Sequence, residues 1–200
     1  MNTNRYTLAG WLAVSQAVIY PLAIAIGFFS GLSQSFCLGL NVSSFGPSQV
    51  LYMIFTGISV YTLYMFKKLL NERYSFHGID IFIIIIIVWN VLMFISSSMA
   101  SSLHVLIWPL PEIGLSILSF GLIAYAMVFA GVINIIIAVK LLKQKESLND
   151  LISAFAYITL VAGILELTIL LSPIALILQV ILYVVLGMVF LREKELVEFV

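Results

Sequence analysis

The chain alternates between long uncharged apolar stretches and short polar clusters. Uncharged runs cover Tyr6–Phe66, Ile81–Pro111, Ile113–Val139 and Leu167–Leu191. A helix needs about 20 predominantly apolar residues to cross the hydrocarbon core of a bilayer. The first run is long enough for two crossings, and the Gly-, Ser- and Asn-containing segment Gly31–Gln49 separates them. The pattern predicts an all-α, polytopic transmembrane helix bundle.

Six crossings fit this pattern in a single transmembrane domain that takes up residues 1–200. The predicted spans are 8–30, 48–67, 79–98, 112–140, 150–171 and 173–191. Charged turns at Asn71–Gly78 and Gln144–Asn149 separate neighbouring spans, and Pro173 suits the first turn of the last one. The segment Ser101–Leu110 is apolar but too short to cross, so it is interpreted as an interfacial strip or as a re-entrant loop that lines a pore.

Composition supports lipid as the surrounding solvent. Hydrophobic residues make up 63% of the chain and charged residues 9%, whereas soluble domains have about 45–50% and 25%. The net charge is zero and the few bases lie beside apolar segments, so nucleic acid is not expected as a partner. A cleaved signal peptide is the competing interpretation of the first span, but its apolar stretch exceeds the roughly 7–15 residues of the hydrophobic region of a signal peptide.

The basic residues predict the orientation of the bundle. If six spans alternate in direction, all nine bases lie on one side of the membrane: Arg5, Lys67, Lys68, Arg73, Lys140, Lys143, Lys145, Arg192 and Lys194. The connections on the opposite side contain no Lys or Arg. Because cationic residues next to spans stay on the cytoplasmic face, both termini are predicted to be cytoplasmic, in the inner or plasma membrane of a cell.

Polar side chains inside the spans predict which helix faces point inward, since lipid surrounds the others. In the fifth span, Ser153, Ala156, Thr159, Gly163 and Glu166 follow a 3-3-4-3 spacing that places them on one face. Glu166 is the one ionisable residue well inside a span, about five residues from the predicted outer end of its helix. Such residues often mark ion or substrate pathways, although a hydrogen-bonded structural carboxyl is the alternative.

The candidate site is a polar centre to which most of the helices contribute. Its predicted members are Glu166, Asn134, Asn90, Gln16, Gln179 and Thr159. Either these side chains bond between helices, or they line a cavity. No catalytic residue, cofactor or metal ligand is assigned, because the only cysteine is Cys37 and the two histidines, His77 and His104, fall on opposite sides of the predicted membrane.

Three functions are compatible with the sequence. The first is a small transporter or channel for an ion or small solute, with Glu166 at its centre. The second is a non-catalytic partner, assembly factor or regulatory subunit that binds another membrane protein or a second copy of the chain. The third, an intramembrane lipid-modifying enzyme, requires Glu166, His104 and Glu112 to converge. A cavity that reaches Glu166 favours the first function, whereas a tightly packed centre favours the second.

Overall fold

A computed structural model describes the backbone of residues 3–36, 47–103, 112–168 and 171–198, and side chains within 5–26, 50–95, 121, 124–168, 171 and 173–192. This described part is helical and contains no strand. The α-helices are α1 (Thr3–Phe36), α2 (Pro47–Tyr74), α3 (Asp80–Leu103), α4 (Glu112–Lys143), α5 (Asp150–Leu167) and α6 (Ser172–Glu198). A short 3₁₀ helix, Lys145–Ser147, connects α4 to α5. The all-helical prediction is confirmed.

One helix covers the region of each predicted span. Five of the helices continue past the predicted carboxyl-terminal end, and α5 ends before residue 171. Helix α2 continues beyond residue 67 to Tyr74, because Leu69 and Leu70 at its end are fully buried and extend its packing. Helix α5 ends at Leu167 rather than at residue 171, since the Thr168 hydroxyl donates a hydrogen bond of 2.8 Å to the Leu165 carbonyl and its backbone leaves the helix.

The predicted interfacial strip falls largely outside the described residues. Helix α3 continues through Leu103, which is the third residue of the segment Ser101–Leu110. The rest of the segment, including Trp108, belongs to the residues that are not described. The interpretations as an interfacial strip and as a re-entrant loop therefore both stay predictions.

Five helices are long and apolar enough to cross a membrane within the described residues: Arg5–Ile26, Val50–Tyr74, Ala124–Lys143, Asp150–Leu167 and Pro173–Arg192. Helix α3 contributes a shorter described apolar stretch, Asp80–Ile95. Large apolar side chains cover the outer surface, among them Trp11 at 61% and Ile177 at 64% exposure. The helices are thus compatible with an integral membrane protein.

The helices form a closed ring in chain order. Each helix packs against the next, and α6 returns to pack along α1. In the described part of the chain, the most extensive contacts join α1 to α6 and α4 to α5, and of the neighbouring helices α3 and α4 share the fewest, along the α3–α4 seam. A ring of this kind can enclose space between its members.

Specific contacts place several helix ends together at one end of the bundle, here called the basic end. The Tyr6 hydroxyl of α1 donates to Glu72 Oε2 of α2 at 2.8 Å, and the Tyr6 ring stacks on Phe190 of α6 at 6.4 Å. Lys140 Nζ at the end of α4 donates to the Gly78 carbonyl, just before α3, at 2.9 Å. All bases except Lys194 have described side chains, and they lie on the helix ends that these contacts join or in the α4–α5 connection.

A compact apolar core fills the bundle next to the basic end. Phe66 of α2 lies 5.1 Å from Phe155 of α5, ring centre to ring centre, across the ring of helices. Phe66 and Phe190 are at most 1% exposed, and Ile152 is fully buried beside them. This core closes the centre of the ring on the basic side, so any internal space lies towards the opposite end.

Candidate functional site

The Glu166 carboxylate is held by two side-chain amides from the neighbouring helices. Asn134 Nδ2 of α4 donates to Glu166 Oε2 at 2.9 Å, and Gln179 Nε2 of α6 donates to Glu166 Oε1 at 2.9 Å. Each carboxylate oxygen therefore accepts one hydrogen bond from a neutral donor. Glu166 is 9% exposed. Three of the six candidate residues form one bonded cluster, which joins α4, α5 and α6.

A backbone contact between α4 and α5 sets the distance across this cluster. A Cβ atom built on Gly131 would lie 2.8 Å from the Gly163 carbonyl oxygen, and one on Gly163 would lie 2.9 Å from the Gly131 carbonyl oxygen. Only glycine fits such an approach at both positions. Asn134 and Glu166 each follow one of these glycines by three residues, so their side chains lie on the same faces as the contact.

The predicted position of Glu166 within its helix is wrong. Because α5 ends at Leu167, Glu166 lies in the last turn of the helix rather than about five residues from its end. Its burial comes from α4 and α6, which supply Asn134 and Gln179. The neighbouring helices therefore bury this side chain, although it lies close to the end of its own helix.

A cavity of about 440 Å³ opens beside this cluster, and all six helices line it. Small-molecule sites in proteins have volumes of about 300–1,000 Å³, so this cavity is large enough for more than a bare ion. Its polar wall includes five of the six candidate residues. These are Glu166, Asn134, Asn90, Gln179 and Thr159.

The sixth candidate residue, Gln16, lies behind the wall of the cavity. It is fully buried, and its Nε2 donates to Ser59 Oγ of α2 at 2.5 Å, while its Oε1 accepts from Thr62 Oγ1 at 3.2 Å. Ser59 and Thr62 themselves line the cavity. Gln16 therefore bonds α1 to α2, in agreement with the interhelical alternative for this residue.

Two of the cavity residues bond only to their own helices. Asn90 Nδ2 donates to the Ile86 carbonyl at 2.9 Å, and Thr159 Oγ1 donates to the Phe155 carbonyl at 2.7 Å. Both residues also line the cavity, on α3 and α5. The structure thus separates the six candidates into a bonded cluster of three, one residue that bonds α1 to α2, and two wall residues.

No protein cation accompanies the Glu166 carboxylate among the described side chains. The ion pairs there are Lys67–Asp80, Lys68–Glu72 and His77–Asp80, all at the basic end. Two neutral amides stabilise a carboxylate less than a bidentate arginine does. The cluster therefore presents an acidic group to a cavity without a basic partner from the described part of the chain.

No protein-family model, no curated protein and no solved structure matches this chain.

Aromatic side chains form much of the cavity wall, although none of them is among the six candidate residues predicted from the sequence. Tyr20, Phe55 and Tyr183 lie within 5.3–5.9 Å of one another, ring centre to ring centre. On the other side, the Trp89 and Phe129 rings are 4.4 Å apart. All five rings line the cavity. Tyr20 follows Gln16 by four residues, and Tyr183 follows Gln179 by four. This spacing places each tyrosine on the same helix face as a predicted site residue, and it could have identified both tyrosines from the sequence.

The intramembrane-enzyme hypothesis depends on His104 and Glu112, whose side chains lie outside the described residues. His104 is not described, and for Glu112 only the helical backbone is described. The convergence of these two side chains with Glu166 stays untested. Among the described side chains, no group of three or more His, Cys, Asp or Glu residues could hold a metal ion.

Proposed function

We propose that this protein is a six-span carrier in the inner or plasma membrane, with both termini in the cytoplasm, and that it transports a proton or a small cationic solute. The observation that carries this proposal is the Glu166 carboxylate. It lies on the wall of a cavity of about 440 Å³, bonded to two amides and to no cation among the described side chains.

The cost of a buried carboxyl supports a functional role for it. Ionisable side chains within membrane proteins are costly to bury and often mark ion or proton pathways. The two hydrogen bonds of the Glu166 carboxylate come from neutral amides, and no described side chain supplies a positive charge to it. A bound cation or proton would supply that charge, so the site is expected to take up a positive charge.

Closure on one side favours a carrier over an open channel. The core around Phe66, Phe155 and Phe190 lies between the cavity and the basic end. A cargo would reach Glu166 from the opposite end, and this core would have to rearrange before release at the basic end. The asymmetry of basic residues makes that end cytoplasmic.

The proposal can be tested in proteoliposomes with a negative-inside potassium diffusion potential. Two probes are followed in turn: the proton, with an internal pH dye, and radiolabelled tetraethylammonium. The wild type is expected to raise the uptake of at least one probe above that of protein-free vesicles. Glu166→Gln should abolish the increase. Glu146→Gln, which alters an exposed acid in the α4–α5 connection, is the matched control and should leave the flux unchanged.

Two results would contradict the carrier proposal. One is a wild type that moves neither probe faster than protein-free vesicles. The other is a Glu166→Gln variant that elutes as a monodisperse protein and transports as fast as the wild type. The cavity beside Glu166 favours the carrier over the non-catalytic partner role, because a purely structural bundle has no need for a cavity next to a buried acid.

A further inference from the structure

We infer that the cargo is an organic cation with an apolar body, of the quaternary or tertiary ammonium class, rather than a bare metal ion. This inference rests on the proposed function, in which Glu166 is the charge-binding group. It adds the chemistry of the cavity wall, which narrows the choice of cation.

Cation chemistry is indicated by two groups that face the same cavity. The Glu166 carboxylate supplies a negative charge without a described basic partner. The faces of aromatic rings attract cations through their quadrupole, with tryptophan the strongest. Trp89 of α3 and Phe129 of α4 line the same cavity, and their ring centres are 4.4 Å apart.

An apolar body is indicated by the remaining walls. Tyr20, Phe55 and Tyr183 form a cluster of rings on the side of α1, α2 and α6. Met93 and Met127 add flexible apolar surface near the α3–α4 seam, and methionine adapts to ligands of irregular shape. Against these apolar surfaces a strongly hydrated cargo such as a sugar would lose hydrogen bonds, which only the polar side chains of the remaining wall could replace.

The size and the ligand set argue against a bare metal ion. A water molecule occupies about 30 Å³ of liquid volume, so a cavity of about 440 Å³ is many times larger than a single ion requires. Hard cations such as calcium take six to eight oxygen ligands. Glu166 is the only carboxylate on the described wall, and both of its oxygens already accept amide hydrogen bonds.

Equilibrium binding of radiolabelled tetraethylammonium to the purified full-length protein in detergent tests this inference. Trp89→Leu should weaken the affinity by roughly 2- to 30-fold, the range of one cation–π contact. Trp11→Leu is the matched control, because Trp11 is 61% exposed on the outer surface. This variant should bind tetraethylammonium with the affinity of the wild type. Glu166→Gln should weaken binding by more than about 30-fold, since it removes the charge of a buried pair.

Competition on the wild type alone provides a second readout that does not depend on how the variants fold. Sodium at a 100-fold excess should displace little tetraethylammonium, and the neutral isostere 3,3-diethylpentane should also compete weakly. Displacement by equimolar sodium, or an unchanged affinity in a folded Trp89→Leu variant, would overturn the inference.

The failure of this inference and that of the carrier proposal are distinguishable. Glu166-dependent proton flux without tetraethylammonium binding would remove the organic cation and leave the carrier. Binding that depends on Glu166 and Trp89, without flux of either probe, would remove the carrier and leave the organic-cation site.

Discussion

Gly131 of α4 and Gly163 of α5 pack backbone against backbone, one helical turn from the hydrogen bond between Asn134 and Glu166. The approach of the two helices fixes the distance between the amide and the carboxylate. The polar cluster therefore depends on the absence of two Cβ atoms as much as on the polar residues themselves.

Gly163→Ala is expected to destabilise the protein and to disturb the cluster. The added Cβ would lie 2.9 Å from the Gly131 carbonyl oxygen and 2.9 Å from an Ile135 side-chain carbon. Overpacking of this kind costs about 1–3 kcal/mol, and thermal unfolding in detergent would measure it. Gly57→Ala is the control, because a Cβ there meets nothing within 4 Å. Equal melting temperatures for the two variants would contradict the proposed role of the contact.

Asn134→Ala and Asn90→Ala are expected to differ although both residues line the cavity. Asn134 donates to the buried carboxylate, whereas Asn90 donates to a carbonyl of its own helix. Loss of a donor to a charged group costs about 1.5–3 kcal/mol; loss of the local bond should cost under about 0.5 kcal/mol. Chemical denaturation in mixed micelles measures both. A larger loss of unfolding free energy for Asn90→Ala than for Asn134→Ala would contradict the stabilising role of the cluster formed by Asn134, Glu166 and Gln179.

Gln16→Leu is expected to weaken the α1–α2 contact. It removes the amide that bonds to Ser59 and Thr62 in a fully buried position. Hydrogen bonds between membrane helices contribute about 0.6 kcal/mol on average and up to about 1.7 kcal/mol, so a loss in this range is predicted. Ser15→Ala, which removes only a bond to the Leu12 carbonyl of the same helix, should be close to neutral. If the two variants unfold at the same denaturant concentration, Gln16 does not hold α1 to α2.

The sequence predicted helix identity and inward faces well, because both follow from local periodicity. All five small or polar residues of the α5 stripe are buried, including Ser153 and Thr159. The ends of the helices were less predictable. Charges at Lys67 and Lys68 marked the edge of the apolar run, but buried Leu69 and Leu70 carry α2 further.

The composition of the site was only partly predictable from the sequence. The amides and the acid stood out because polar residues are rare in apolar spans. The aromatic rings did not, since Phe, Tyr and Trp are equally suited to lipid-facing positions. Exposed Trp11 and cavity-lining Trp89 look alike in sequence. Pairing across helices, such as Gln16 with Ser59, required the fold.

Thiol labelling of intact cells tests the predicted orientation. Cys37 is the only cysteine and lies between α1 and α2, on the side predicted to be external. In the wild type, a membrane-impermeant maleimide should react with it from outside. With Cys37→Ser and Ser147→Cys combined, the new thiol in the exposed α4–α5 connection should react only after permeabilisation. Labelling of the Ser147→Cys thiol in intact cells would reverse the orientation.

The most direct test of the account is carbodiimide modification of the carboxyl groups in native membranes, read by mass spectrometry. Dicyclohexylcarbodiimide is an apolar reagent that attacks protonated carboxyls in membranes, and Glu166 lines the cavity. We expect Glu166 to be modified, the exposed Glu146 to stay unmodified, and tetraethylammonium to protect Glu166 in a concentration-dependent manner. Modification of Glu166 that no concentration of tetraethylammonium or sodium reduces would contradict the claim that its carboxylate binds a cation.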